Sequence, residues 1–291
     1  MSAPAPPRTQ PGYDTRPFLT IRKGYSDLLA ASRRKDTIHG LLEVDVTHSH
    51  QLLRQLKAEG RPLSFTAFVI HAMARAVDED RIMHAYRRRR RLILFDDVDV
   101  NTQIEAQVDG QHIVQSLVIR SANRKSVSEL TDEIRSAQRH DPASERRYRG
   151  SVAFLRLPRA ARSFAWRLLL AQPTWFKLLG GTVAISSVGM FGPGGGWGIP
   201  VGPATLMITV GGIATKPRFI GQQLQPREIL DLTISVDHQI VDGAPVARFA
   251  RRLTELIERG DGLPDPPDRP PQAGGTTRPG TASPLLDQVS L

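Results

Sequence analysis

Ile229-Leu230-Asp231-Leu232-Thr233-Ile234-Ser235-Val236-Asp237-His238-Gln239-Ile240-Val241-Asp242-Gly243 alternates apolar and polar side chains from Leu230 to Asp237 and then breaks at a histidine. The period of two predicts a strand over residues 229–237, with Leu232, Ile234 and Val236 on one face and Thr233, Ser235 and Asp237 on the other. His238 continues the even-numbered series, so its ring is expected on the apolar side. Burial there would disfavour the imidazolium and leave a neutral ring able to take a proton from a thiol. Asp242 and Gly243 stand before Ala244-Pro245. Proline suits a first helical turn, which makes Asp242 a candidate cap for a helix over residues 244–259 with a core stripe of Val246, Phe249, Leu253, Leu256 and Ile257.

Working outward, residues 206–213 and 182–188 read as strands on either side of a glycine-rich loop spanning residues 189–202. Residues 40–46, 92–95, 98–104 and 112–119 read as further strands, with Asp109-Gly110 as the turn before the last of them. Helices are expected over 49–59, over 65–77, and after Ser126, which stands at capping-box spacing from Glu129. Strands outnumber clean strand–helix–strand units. The fold class is therefore α+β, with a mixed, largely antiparallel sheet and helices on one side.

The 291 residues carry 40% hydrophobic side chains, enough for a buried core. Residues 1–16 and 261–291 are rich in Pro, Gly, Ser, Thr and Arg and read as disordered tails around a single domain over 17–260. The absence of cysteine excludes disulfides, thiolate metal sites and a cysteine nucleophile. His39, His71 and His112 stand apart without metal-ligand spacing, and no metal is expected. The N-terminus shows no basic and apolar leader pattern and no apolar run is long enough to span a bilayer, so a cytoplasmic location is expected. A net charge of +10 points to anionic partners. The run Arg87 to Arg91 reads as a solvated basic face on a hairpin, and nucleic acid is disfavoured because neither interleaved aromatics nor a known binding module accompanies it.

Ile21-Arg22-Lys23, Glu43-Val44-Asp45, Asp99-Val100-Asn101, Lys125-Ser126-Val127, the stretch from Gly181 to Gly192 and the stretch from Asp237 to Phe249 follow one another in the chain. In that order they resemble the catalytic domain of dihydrolipoamide acyltransferases, the acyltransferase components of 2-oxo acid dehydrogenase complexes. The resemblance implies a chloramphenicol-acetyltransferase-like fold and a homotrimer or a higher assembly of trimers. It also implies a channel between subunits, entered by coenzyme A and a lipoyl arm from opposite ends. His238 matches the family's general base, Ser186 the serine that hydrogen-bonds the oxyanion, and Asp242 an aspartate that supports the site. Arg22 matches a basic position that can pair with that aspartate, and Gly243 completes the motif on the substrate side. Acyl-CoA is the implied substrate.

Departures from the family pattern bear on the substrate more than on the fold. Gln239 stands where an arginine is usual, and Gly194 to Pro200 is unusually glycine-rich. Related antibiotic acetyltransferases and condensation domains carry two adjacent histidines where this chain has Asp237-His238, which favours the dihydrolipoamide branch. Only about 20 residues precede the resemblance, so a lipoyl domain and a subunit-binding domain of the chain's own are not expected, and a lipoyl group would come from a separate protein. Residues 151–180 read as a basic, apolar insertion, suited either to self-packing or to an anionic membrane surface. The alternative to an enzyme is a catalytically retired trimeric scaffold that binds a partner or membrane through that insertion.

Overall fold

The computed structural model describes residues 21–33, 35–108, 111–139, 150, 153–188 and 194–264. The Asp109-Gly110 turn, residues 1–16 and residues 265–291 fall outside them. The strand that ends at Asp237 is β8 (Gln223–Asp237), and it lies between β1 (Thr37–Asp45) and β7 (Leu206–Ile220), antiparallel to both. Beyond β7 come β6 (Val183–Ser187) and β4 (Val100–Val108), joined in parallel, and then β5 (Gln111–Ile119), antiparallel to β4. The sheet thus has six strands in the order β1-β8-β7-β6-β4-β5, mixed but mainly antiparallel as the sequence predicts. β7 and β8 are longer than the alternating pattern suggests. Past Ala214 and Ile229, where β1 stops, they pair only with each other up to Ile220 and Gln223.

The two faces of the sheet have different chemistry. Ile185, Ile208 and Ile234 lie side by side across three strands, with Val210, Leu232 and Leu42 in the next row. Four helices cover this face: α2 (Thr47–Ala58), α3 (Phe65–Glu79), α4 (Val127–Arg139) and α7 (Gly243–Arg259). Phe68, Ile70, Met73, Leu130, Phe249 and Leu253 supply its packing, each fully or nearly fully buried. Helix boundaries follow local chemistry. Ser64 accepts from the Ala67 amide at the start of α3, and Ser126 and Glu129 form the expected reciprocal capping box, with bonds of 2.8 and 3.3 Å. α7 ends on Gly260, whose left-handed φ of 72° is the usual glycine stop.

On the opposite face Ser186, Thr209, Thr233 and Leu41 form a second row. The backbone of residues 194–198 crosses this side. A β-bulge at Gly211-Gly212 lets it come close, because a Cβ on either glycine would lie 2.1 Å from the carbonyl oxygen of Gly196 or Gly194. The arginine run forms the predicted hairpin between β2 (Tyr86–Arg88) and β3 (Arg91–Ile93), with Arg87 to Arg91 exposed. Three helices lack a sequence-based expectation: α1 (Ile21–Ser32), α5 (Arg159–Ala171) and α6 (Pro173–Gly180).

His84, fully buried beside β2, fixes one end of the sheet. Its Nε2–H donates to the Phe95 carbonyl at 3.1 Å and its Nδ1 faces the Thr182 hydroxyl at 3.1 Å. Burial, reinforced by Lys177 and Arg81, lowers its pKa from 6.5 to about 4, against an opposing hydrogen bond to Phe95. The unfolded chain therefore takes up this proton near pH 6.5 and the folded chain only near pH 4, so stability falls as the pH drops through that window. The loss should be on the order of 3 kcal/mol from His84. His50 and His71, also lowered chiefly by burial, act in the same direction. Urea midpoints measured between about pH 7 and pH 4.5 should decline, and His84→Gln should be less stable at neutral pH with a shallower decline. An unchanged slope in that variant would remove His84 from the acid sensitivity.

Candidate functional site

β8 delivers Asp237 and His238 to the end of the sheet, and the chain turns there. The amides of Ile240 and Val241 both donate to the Asp237 carbonyl at 3.0 Å, while Val241, 1% exposed, anchors the turn in the core. The His238 amide donates to the Asp36 carbonyl at 2.7 Å and the Asp237 amide to the Thr205 carbonyl at 2.9 Å. The Asp237 carboxylate is buried; it meets Lys35 Nζ at 2.6 Å and accepts from the Gln239 amide at 3.2 Å. Gln239, which stands where the family usually has arginine, donates from Nε2 to Asp36 at 2.7 Å. The backbone that carries His238 is thus held from both sides.

The ring itself is not buried. Because β8 stops at Asp237, the period of two does not extend to His238, whose side chain is 46% exposed. The expectation of a ring on the apolar face is wrong, and its desolvation argument lapses with it. What fixes the ring is a hydrogen bond between Nδ1 and the Val241 carbonyl at 3.1 Å. A carbonyl can only accept, so Nδ1 carries a proton, and in the neutral ring it is Nε2 that holds the lone pair.

Asp242 occupies the N-cap position of α7 but forms no side-chain capping bond. Its carboxylate is 89% exposed and lies 4.0 Å from His238 Nδ1, a loose and solvated contact. Among the described residues Arg22, exposed on α1, makes no ion pair with Asp242, so the expected pairing is absent. The motif's ion pair is instead Lys35 with Asp237. Strand register sets it: β1 begins at Thr37 opposite Asp237, which places Lys35, two residues earlier, beside that carboxylate. Gly243, exposed in the first turn of α7, has open space where a Cβ would stand.

Ser186 is half-buried on β6, and its hydroxyl forms no hydrogen bond among the described residues. Its row in the sheet is that of Thr209 and Thr233, five residues before His238 and two strands away. At about 3.3 Å per residue and 4.8 Å per strand, Ser186 and His238 lie roughly 19 Å apart in one chain. No single thioester bridges that gap.

Sequence reasoning also missed Asp231. It is 1% exposed on the polar face of β8, accepts from the Gly196 amide at 2.5 Å and meets Lys216 Nζ at 3.0 Å. Lys216 lies 5.3 Å from the centre of the Trp197 ring, whose Nε1–H donates to the Leu42 carbonyl at 3.1 Å. This cluster seats the glycine-rich loop. A carboxylate on a strand whose neighbours all read as buried, next to a loop short of side chains, was the available signal.

The family model for the 2-oxoacid dehydrogenases acyltransferase (catalytic domain) matches residues 10–146 and 171–263. The chain belongs to this family. Among curated relatives of the acyltransferase, the lipoamide acyltransferase component of the branched-chain alpha-keto acid dehydrogenase complex of Bacillus subtilis is 23% identical over 87% of this chain and 54% of its own length. The chain spans about half the length of that relative. Among solved structures, a probable dihydrolipoamide acetyltransferase from Listeria monocytogenes superposes with a TM-score of 0.64 at 22% identity, covering 85% of this chain and 95% of the other. The dihydrolipoamide acetyltransferase of Azotobacter vinelandii gives 0.62 at 21%, covering 88% and 97%. The fold is that of the acyltransferase catalytic core, as the resemblance implied. Residues 147–170 fall between the two matched stretches.

Because Asp237 is buried, removing the one cation paired with it among the described residues leaves a carboxylate without that charge partner. Lys35→Met should cost about 3 kcal/mol, read as a lower urea midpoint, and the added change Asp237→Asn should recover much of it. Equal losses in the single and double variants would show that the pair is not what holds this turn.

Proposed function

We propose that the chain is an acyltransferase that moves an acyl group between coenzyme A and a thiol of the dihydrolipoyl type, in a site built from His238 of one copy and Ser186 of another. The observation that carries this reading is the arrangement of those residues. In the Azotobacter enzyme a serine, a histidine and an asparagine were investigated for their roles in the catalytic mechanism; the serine and histidine stand 52 residues apart and the asparagine follows the histidine by four. Ser186, His238 and Asp242 repeat both separations, with aspartate in the last place. Within one chain the serine and histidine are too far apart to act together, which supports a site shared between copies; a homotrimer, or an assembly of trimers, is the arrangement that the family resemblance implies. A solved relative forms the cubic core of the pyruvate dehydrogenase multienzyme complex.

The reaction needs little beyond these groups. As the thiol sulfur attacks the thioester carbonyl, its proton passes to His238 Nε2, the ring atom left with a lone pair. The carbonyl oxygen becomes an oxyanion, and the Ser186 hydroxyl donates to it, a bond worth more in the transition state than in the ground state. Collapse of the tetrahedral species breaks the other C–S bond, and the departing thiolate takes the proton back from Nδ1-anchored His238. Asp242 is too exposed and too distant to hold the ring tightly; its role is electrostatic, in favour of the transient imidazolium. The acyl donor is an acyl-CoA or a lipoyl domain on a separate protein.

Acyl exchange between acetyl-CoA and free dihydrolipoamide tests the proposal. His238→Ala should lower the rate by about 10²–10⁴-fold and Ser186→Ala by about 10²-fold, with the fold intact. Mixing the two variants after dissociation and reassembly should restore about a quarter of wild-type activity, because one interface in four then joins an intact histidine to an intact serine. Light scattering should give a trimer or a multiple of one. Inactivity of the wild type across a range of acyl chains would favour the scaffold alternative. An active wild type with no recovery on mixing would place both residues in one chain's site.

A further inference from the structure

Residues 159–180 carry two consecutive helices that pack on each other, α5 and α6. Their inward sides are accounted for. Arg162, 7% exposed, meets Asp27 of α1 at 2.6 Å, and Phe176 packs against Tyr86 in a small cluster with Phe95. Their outward sides mix large apolar side chains with arginine. Phe164 and Leu168, one turn apart on α5, are 62% and 45% exposed, and Trp175 and Leu179, one turn apart on α6, are 54% and 59% exposed. Clustered exposure of such side chains marks an interaction surface rather than ordinary solvated surface.

The charges around this surface select its occupant. From Arg146 to Arg227 the sequence holds eleven basic residues and no acidic one. Arg156, Arg159 and Arg167 are all exposed, Arg159 and Arg167 on α5 itself and Arg156 three residues before it. A second copy docked face to face would set arginine against arginine with no carboxylate in either segment to pair with it. A bilayer surface rich in anionic headgroups satisfies both features. The rings and leucines enter the acyl boundary, and the guanidinium groups reach back to the phosphates. No helix among the described residues is long and apolar enough to cross a membrane, so such a contact lies on the surface. We propose that the α5–α6 face docks on an anionic lipid surface.

Flotation of the intact protein with vesicles of phosphatidylcholine alone, or with about one third phosphatidylglycerol, tests this. Binding is expected only with phosphatidylglycerol and should weaken as salt rises. The double variant Phe164→Ser, Trp175→Ser should bind about tenfold less or weaker still, and Arg159→Ser, Arg167→Ser should lose the preference for anionic vesicles. Circular dichroism and acyl exchange on the same variants separate loss of docking from loss of fold. Failure of the wild type to bind either vesicle, or undiminished binding by the variants, would overturn the proposal. So would dissociation of the wild-type assembly in the Phe164 and Trp175 variant, which would assign the face to a second copy.

Discussion

The central constraint in this molecule is that β8 from Ile229 to Asp237 is buried on both sides while only one of its faces is apolar. Asp231, Thr233, Ser235 and Asp237 are each 5% exposed or less. Buried polar groups are costly unless paired, so the surroundings of β8 must supply partners. Lys216 and the Gly196 amide serve Asp231, the exposed His39 reaches Ser235 at 2.7 Å, and Lys35 serves Asp237. Among the described residues the hydroxyls of Thr209 and Thr233 find none. Each pairing recruits a different segment to the polar face, and together they place the glycine-rich loop and the turn that carries His238.

That division of labour explains why the site is made of backbone as much as of side chains. The loop has few side chains with which to pack, so its position comes from close approach at Gly211 and Gly212 and from one carboxylate. The histidine ring is aimed by a carbonyl three residues on rather than by Asp242. Its tautomer is therefore set within a single turn, whatever the other copies in an assembly contribute. Ser186, two strands away, is positioned by a separate part of the same sheet.

Much of the fold could be read from the sequence, because the periods of two and 3.6 are strong where both faces of an element differ. The alternation from Leu230 to Asp237, the capping box at Ser126 and the stripe of α7 each correspond to the observed element. The burial of His238 did not follow, since period two holds only while the strand continues. The pairing of Arg22 with Asp242 did not follow either, because it rested on resemblance rather than on register. α5 and α6 escaped notice because a strip of exposed phenylalanine, leucine and tryptophan blurs the amphipathic pattern from which helices are read. Lys35 was missed because the partner of a charged residue is set by strand register, which composition does not reveal.

The ribbon formed by β7 and β8 beyond the end of β1 has a different standing from the rest of the sheet. Phe219 and Leu224, paired across it, are 74% and 61% exposed, and among the described residues the strands there have no third neighbour. Its base is tied down by Arg54 with Glu228, by Arg227 with Asp45 and by Lys216 and Arg218 with Glu43, while among the described residues its tip from Phe219 to Leu224 rests on two-stranded pairing, which is marginal in water. Amides between Pro217 and Pro226 therefore exchange with solvent through local opening, whereas those of Leu206 to Val210 wait for the whole domain to unfold. The same two strands thus carry hydrogen bonds shut inside the domain at one end and hydrogen bonds open to water at the other.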